Sequence, residues 1–312
     1  MLVLLSSAMR FHAKPAAELA MRTTPRLLHK TKVLVQELRR LEAKDIKKQL
    51  HVNDALAKQY AEHLNQFEAK EPVPCCSLYD TPLYDATGFG TFDEDDADWA
   101  NSNVRIFSGL YGILRPFDEI QTLSLPVGLN SKLTNSKGNF LRNFWQEHIE
   151  KDLEDALQRL PMPVIIDLAA EEDAKSFTDP ERLPEGTRVV KVDFKISDKD
   201  AALSAKGEFL RWMLENRCMT VEELLEFTGL EEEAPSYRLN KNQQSADHLL
   251  FEEKVGDGGD GWRKKIQEYG GSKNKFIKEF ASGKQKYQRT EMAKALKKED
   301  KAKKKKGSSA FY

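Results

Sequence analysis

Cysteines and long apolar runs are scarce in this 312-residue sequence, which has only Cys75, Cys76 and Cys218. Three cysteines exclude a disulfide scaffold and indicate a reducing compartment. The chain contains no uninterrupted apolar run of about 18 residues, so it predicts no transmembrane helix. Residues 1–15 are too short and too weakly apolar for a secretory signal, and they predict a strand instead.

The motifs of common enzyme classes are also missing. The sequence has no Gly-x-Ser-x-Gly, no Walker loop and no dinucleotide-binding glycine fingerprint. Its six histidines, at positions 12, 29, 51, 63, 148 and 248, lack metal-site spacing, so no metal and no cofactor is predicted. Adjacent Cys75 and Cys76 predict no special role, with redox sensing as the less favoured alternative. Spacing alone therefore identifies no enzyme.

Positive charge is concentrated at one end of the chain. The formal net charge is −1, but residues 261–312 hold 17 lysines and arginines against 5 acidic residues, a net of +12. The remaining residues carry a net of −13. This asymmetry predicts a basic extension at 262–312, partly helical, that can reach nucleic acid, joined by a Gly/Asp linker at 256–261. For the lysine-rich run 294–306, a nuclear-targeting or nucleic-acid patch and a solvated tail both remain open.

The most structured pattern in the sequence covers residues 93–118. Asp93 is a favourable N-cap, and three acidic residues follow it in the first turn. Apolar residues at helical spacing predict that the helix continues through Ala97, Ala100, Val104 and Phe107. Gly109 is placed to end that helix and Gly112 to allow a second bend. Together they predict a helix, a glycine hairpin and a second helix opened by Pro116.

Residues 108–116 admit two interpretations. The first is a helix end and a packed turn, with Leu110, Ile113 and Leu114 in the core, and the glycine pattern alone favours it. The second is a hairpin whose backbone N–H groups hold a phosphate, with Arg105 and Arg115 as additional donors. Both interpretations stay open on the sequence.

The rest of the chain alternates strands and helices. Buried strands are predicted at 2–5 and 164–168, and alternation predicts a further strand at 188–194. Helices are predicted at 25–41, 45–50, 54–67, 140–160 and 206–217. Asn53 is predicted to cap the helix at 54–67. Thr220 opens a capping box, and Gly229 is predicted to end the helix that follows it.

Two groups of charged residues lie beside these elements. Glu171, Glu172 and Lys175 follow the strand 164–168, where paired carboxylates can bind a metal or serve as acid and base. An acidic first helical turn is the more common interpretation. Lys206 and Arg217 are about three helical turns apart, which predicts that they share one side of a helix. Phosphate binding and ordinary salt bridges are equally open for that pair.

Several segments resemble the YaaA family of peroxide-stress proteins. The closest resemblance is in Phe92-Asp-Glu-Asp-Asp96 and Arg105-Ile-Phe-Ser-Gly-Leu-Tyr-Gly-Ile-Leu-Arg-Pro116. In order along the chain, Met1–Ser6, Asn143-Phe-Trp145, residues 164–176 and the segments at 205–207 and 214–217 resemble further family motifs. The similarity runs from Met1 to about Phe251. Departures occur at Ser6-Ser-Ala-Met9, where the family has Ser-Pro-Ala-Lys, and at Ser124, Pro126 and Arg142.

The resemblance implies an α/β fold with a basic cleft and a helix-hairpin-helix element; from the pattern, α+β remains open. We expect one large mixed-sheet domain at 1–255, flanked by helices. The implied function is binding of single- and double-stranded DNA in the response to hydrogen peroxide. The phosphate-binding residues that match family motifs or basic positions are Arg105, Gly109, Tyr111, Gly112, Arg115, Lys175, Lys206 and Arg217.

Two other functions remain open. One is an enzyme acting on a nucleotide or damaged base, with Glu172 and Lys175 as its catalytic residues. The other is an interaction scaffold that binds no nucleic acid. We expect a cytoplasmic protein without membrane contact, with nuclear targeting left open by the lysine-rich tail.

Overall fold

The fold is organised around a seven-stranded sheet in the order β4-β3-β1-β6-β7-β9-β8. A computed structural model describes residues 1–8, 10–15, 19–67, 71–121, 132–135, 138, 140–230 and 236–254. The linker and basic extension predicted at 256–312, and Ser124 and Pro126, lie outside the described residues. The strands are β1 Leu2–Ser6, β3 Val104–Ser108, β4 Gly112–Leu114, β6 Val164–Asp167, β7 Arg188–Lys195, β8 Tyr237–Leu239 and β9 His248–Glu253.

Five strands of the sheet are parallel. Strand β1 pairs with β3 on one side and β6 on the other, and β7 and β9 extend the parallel set. Strands β4 and β8 pair antiparallel at the two ends. The parallel strands therefore follow the order second, first, third, fourth, fifth, as in flavodoxin-like sheets. In such sheets ligands bind outside the carboxyl ends of the two strands where the order reverses, here β1 and β6.

Helices cover the sheet. They are α1 Leu28–Leu38, α2 Ala43–Leu50, α3 Asp54–Asn65, α4 Cys75–Leu78, α5 Pro82–Thr87, α6 Glu94–Asn103, α7 Leu141–Leu157, α8 Glu171–Ala174, α9 Lys199–Glu215 and α10 Val221–Leu224. A separate two-stranded ladder joins β2 Val73–Pro74 to β5 Glu119–Ile120. Among the described residues, no helix is both long and apolar enough to cross a membrane.

The core forms because the central strands are apolar on both faces. Residues 2–5 are buried, as expected for a parallel strand covered on both sides. Trp145 of α7 is fully buried and donates from Nε1 to the carbonyl of Gly109 at 2.8 Å. Phe209 of α9 packs on Phe194 of β7 and Phe251 of β9. The α/β prediction with a mixed sheet and flanking helices is confirmed.

The segment after Asp93 departs from its prediction. Asp93 caps α6 by accepting from the N–H of Asp96 at 2.8 Å, as expected, but the helix ends at Asn103. Residues 104–114 form a β-hairpin, so the predicted helix through Phe107 is wrong and the segment is not a helix-hairpin-helix. The spacing of Val104 and Phe107 fits a helix as well as a strand. The residues form a strand because they pair with β1.

Of the predictions for single strands, caps and helix ends, some are confirmed and some are wrong. The strand predictions at 2–5, 164–168 and 188–194 are confirmed, and so are the caps at Asn53 and Thr220. The helix opened by Thr220 ends at Leu224, so the prediction that Gly229 ends it is wrong. Arg217 lies beyond the end of α9 with a left-handed backbone, so it does not share a helix side with Lys206.

Candidate functional site

The loops that leave β1 and β6 are tied together where the strand order reverses. The Ser6 hydroxyl donates to Asp173 Oδ2 at 2.6 Å and accepts from the N–H of Ala170 at 3.0 Å. Tyr84 of α5 donates to the Ser6 carbonyl at 2.9 Å. We call residues 6–8, 10 and 167–175 the carboxyl edge. Its two loops are adjacent, so side chains from both can meet one ligand.

Asp167 is the perturbed acid of the carboxyl edge. It ends β6, is 8% exposed, and accepts from the N–H of Ala169 at 3.0 Å. Burial raises the pKa of Asp167 to about 6, against the opposing effects of the Ala169 N–H, Lys206 and Lys191. A carboxyl group with a pKa this close to neutrality can accept and return a proton.

Asp193 forms ion pairs or close contacts with three neighbouring basic side chains. Lys206 Nζ lies 3.2 Å and Lys191 Nζ 3.3 Å from its carboxylate, and His248 Nε2 lies 3.1 Å away. Burial would raise the pKa of Asp193, but Lys206 and Lys191 outweigh it and hold that pKa below its ordinary value. Lys206 also reaches the carbonyl of Leu168 at 3.5 Å, which brings this phosphate-binding candidate to the carboxyl edge.

Two cations of the carboxyl edge remain open to solvent. Arg10 and Lys175 are exposed, and neither forms an ion pair with a described residue. Glu171 and Glu172 are exposed on the short helix α8, confirming an acidic first turn after β6. The edge therefore carries both signs of charge, and its solvent-open positive groups come one from each loop.

The predicted hairpin candidates occupy a packed turn. Residues 109–112 follow β3 at the same end of the sheet as the carboxyl edge, but all four are buried. The Tyr111 hydroxyl accepts from the N–H of Gln121 at 2.9 Å. Gly112 has φ +73° and leaves no room for a Cβ, which would lie 2.5 Å from the Trp145 ring. Leu110, Ile113 and Leu114 are in the core, as the first interpretation expected.

The three arginine candidates are all engaged in ion pairs. Arg105 is 2% exposed and pairs with Asp152 at 2.7 Å. Arg115 pairs with Asp118 at 2.7 Å. Arg217 pairs with Asp96 at 2.7 Å and lies over the ring of Trp99. These contacts hold elements of the fold together, so phosphate would have to compete with carboxylates already in place.

The cysteines are poorly suited to react with peroxide. All three are buried thiols without disulfides. Burial raises the pKa of Cys75 well above its usual range and that of Cys218 to about 12. The thiolate is the reactive form, so the low-pKa, accessible character of a redox-sensing cysteine is missing at these positions.

Sequence reasoning identified part of the carboxyl edge. It named Glu172, Lys175 and Lys206, but gave no site role to Asp167, Asp173 or Asp193. The available signal was a polar residue at the carboxyl end of each of two buried strands, Ser6 in β1 and Asp167 in β6. These two residues can be assigned to one site only once the strand order is known, because that order makes β1 and β6 neighbours.

The seven-stranded mixed sheet and its flanking helices define an α/β protein whose parallel strand order reverses between β1 and β6. The sequence model of the family "Peroxide stress protein YaaA" matches residues 1–243. The chain therefore belongs to this family of peroxide stress proteins.

Curated relatives agree with this assignment. The chain is 32% identical over 261 residues to a UPF0246 protein of Maricaulis maris, covering 80% of this chain and 95% of that protein. It is 32% identical to a UPF0246 protein of Caulobacter vibrioides, over 66% of this chain and 82% of the relative. A UPF0246 protein of Dechloromonas aromatica is 31% identical, over 73% and 91% of the two chains.

Proposed function

We propose that this peroxide stress protein binds DNA through its backbone phosphates, with little sequence preference, at the carboxyl edge. The observation that carries the proposal is the pair of solvent-open cations, Arg10 and Lys175, on the two loops tied together by Ser6. Phosphate contacts by such groups position nucleic acid without reading its sequence. Lys206 lies at the same edge, but it is 15% exposed and pairs with Asp193 at 3.2 Å, so its phosphate contact stays a prediction.

The ion pairs of the described residues support this choice of phosphate-binding residues. Arg10 and Lys175 can exchange water and counterions for phosphate, whereas Arg105, Arg115 and Arg217 already neutralise carboxylates. We therefore assign the direct phosphate contacts of the described residues to Arg10 and Lys175, because Lys206 also neutralises a carboxylate, that of Asp193. The basic cleft implied by the family resemblance stays a prediction, as does the contribution of the extension at 262–312.

Salt-dependent binding to single-stranded, duplex and gapped DNA tests the proposal. Removing one phosphate-binding cation should reduce the slope of log affinity against log salt by about 0.7–0.9. Arg10→Gln and Lys175→Gln should each show this reduction. Lys44→Gln is the matched control, because Lys44 is an exposed lysine on α2 that pairs with Glu42. No binding at low salt, or equal slopes in all variants, would refute the proposal.

A second function is favoured by the acid of the edge. Asp167 has a pKa raised to about 6, and the Ser6–Asp173 pair lies in the loop beside it. These groups could serve proton transfer on a nucleotide or a damaged base held by the same cations, with Glu172 and Lys175 as the other candidates. This enzyme would be established by turnover of a lesion-containing oligonucleotide whose rate depends on pH with an apparent pKa near 6. That turnover should be lost in Asp167→Asn. No turnover over a broad lesion panel would leave DNA binding alone.

A further inference from the structure

A cluster of metal-ligating side chains lies beside the carboxyl edge, on residues that the histidine spacing did not single out. His12, Asp80 and Asp85 each offer one ligand atom, and these atoms lie within 4.8 Å of one another. The Nε2 of His12 is 3.3 Å from Asp85 Oδ1, and its Nδ1 is 3.9 Å from Asp80 Oδ1. The three side chains are about one-third exposed, so an ion can reach them from solvent.

The backbone around the cluster is fixed by pairing between distant segments. Phe11 and Tyr79 form an antiparallel bridge. The N–H of His12 donates to the carbonyl of Leu78 at 2.8 Å, and the N–H of Asp80 donates to the carbonyl of Arg10 at 3.0 Å. The rings of Phe11 and Tyr79 stack with centroids 5.7 Å apart. His12 and Asp80 are thus held side by side before any ion arrives.

The third ligand comes from a helix that is anchored to the sheet. Asp85 lies on α5, where its N–H donates to the carbonyl of Thr81 at 3.0 Å. The preceding residue, Tyr84, is buried and holds the end of β1 through the Ser6 carbonyl. Two donors bound at about 2.1 Å to one ion lie at most about 4.2 Å apart. Small rotations of exposed side chains are therefore enough to close the cluster around an ion.

From this geometry we propose that His12, Asp80 and Asp85 bind one divalent first-row transition-metal ion. A neutral imidazole and two carboxylates supply a formal charge of about −2, which a divalent cation neutralises. The imidazole favours zinc, iron, nickel or copper over calcium and magnesium, which prefer oxygen ligands. This site is separate from the phosphate contacts of Arg10 and Lys175 and does not depend on DNA binding.

The same three side chains could instead form a simple ion pair, with a protonated His12 between two carboxylates. Metal titration of the full chain decides between these states. After chelator treatment and removal of the chelator, Zn²⁺ and Mn²⁺ chlorides are titrated by calorimetry, with Mg²⁺ as a comparison. One ion should bind per chain, Zn²⁺ more tightly than Mn²⁺, as the Irving–Williams order requires. No saturable binding of either ion would establish the ion pair and overturn the proposal.

Variants locate the ion. His12→Gln, Asp80→Asn and Asp85→Asn should each weaken Zn²⁺ binding at least about tenfold, as removal of a ligand requires. His29→Gln is the matched control, because His29 is exposed on α1 and belongs to no such cluster in the described part of the chain. Circular dichroism confirms that each variant is folded. Binding that survives in all three variants would overturn the assignment.

Chemical modification of the unaltered protein tests whether the ion binds at His12 without the use of variants. Diethyl pyrocarbonate modifies accessible imidazoles, and peptide mass mapping reports the extent at each histidine. Saturating Zn²⁺ should protect His12 and leave His29 as reactive as before. Equal modification of His12 with and without Zn²⁺ would overturn the proposal even if an ion binds elsewhere.

Discussion

Arg105 and Asp152 form a buried ion pair that joins β3 to α7, with 2.7 Å between the guanidinium Nε and the carboxylate Oδ1. Burial would raise the pKa of Asp152, but Arg105 and Arg26 outweigh it and hold that pKa below its ordinary value. The guanidinium also donates to the carbonyls of Asn101, Ser102 and Val104. An arginine inside a buried strand is thus satisfied by contacts within the protein.

Arg105→Ala should destabilise the protein by about 3–5 kcal/mol, because it leaves Asp152 charged and buried with less compensation. Urea unfolding measures this decrease. Arg26→Ala is the control, since Arg26 binds the other oxygen of Asp152 from a position 32% exposed and should contribute about 1 kcal/mol or less. If Arg105→Ala instead left stability intact and flattened the salt dependence of DNA binding, Arg105 would be a phosphate ligand.

The sequence predicted that Arg105 binds phosphate, whereas the structure places it in a buried ion pair with Asp152. The difference shows which features cannot be predicted from local sequence. Apolar runs predicted β1 and β6, because a strand buried on both faces needs little besides apolar side chains. Alternating apolar and polar residues predicted β7. The run that contains Arg105 fitted a helical period as well. Its partner Asp152 is 47 residues away, so nothing local could assign the strand or the ion pair.

The candidate sites follow the same rule. Lys175 and Lys206 could be named from charge and position beside predicted elements. Ser6 and Asp173 are 167 residues apart, and their hydrogen bond exists only because β1 and β6 pair. His12 and Asp80 come together through a bridge between Phe11 and Tyr79, so histidine spacing could not reveal them. Spacing detects sites built on one element, whereas these are built by the sheet order.

Gly112→Ala should be strongly destabilising because a Cβ there would lie 2.5 Å from the Trp145 ring at φ +73°. We expect a decrease of about 2–5 kcal/mol, from backbone strain and overpacking together. Gly186→Ala is the matched control: it has φ +80° and open space around it, so it carries the strain alone, about 1–2 kcal/mol. Urea unfolding compares the two, and equal decreases would show that contact with Trp145 contributes nothing.

Asp167 should make stability fall as the pH rises. Its pKa of about 6 in the folded protein lies above the ordinary value near 3.9, so the folded state binds more protons between about pH 4 and 6. Asp167→Asn removes this effect while keeping an acceptor for the Ala169 N–H. Relative to the parent, the variant should gain up to about 3 kcal/mol between pH 4 and pH 7, measured by urea unfolding.

The control for this pH dependence is Asp193→Asn, which should show the opposite sign. The lowered pKa of Asp193 means that its charge stabilises the folded state above the ordinary carboxyl range, and that this contribution is lost as the pH falls. Relative to the parent, Asp193→Asn should therefore lose stability as the pH rises from about 3 to about 5, through the ordinary carboxyl range. Parallel curves for both variants would contradict the assigned environments of Asp167 and Asp193.

The last prediction separates the folded part from the basic extension in DNA binding. Residues 1–260 carry a net charge of −13, so their long-range field repels DNA, whereas residues 261–312 carry +12. Deleting residues 283–312 removes 11 lysines and arginines and 3 acidic residues. Because counterion release drives non-specific affinity, the deletion should weaken binding to single-stranded, duplex and gapped DNA alike and flatten the salt slope by several units.

Lys175→Gln should act differently from that deletion. It removes one positive charge at the carboxyl edge, so the salt slope should change by only about 0.7–0.9, while the ranking of DNA forms should shift because an edge contact positions the bound strand. Fluorescence anisotropy over a salt series measures both quantities. If the tail deletion leaves affinity and slope unaltered, the extension is a passive solvated segment. The local potential of Arg10, Lys175 and Lys206 must then overcome the net charge of the folded part.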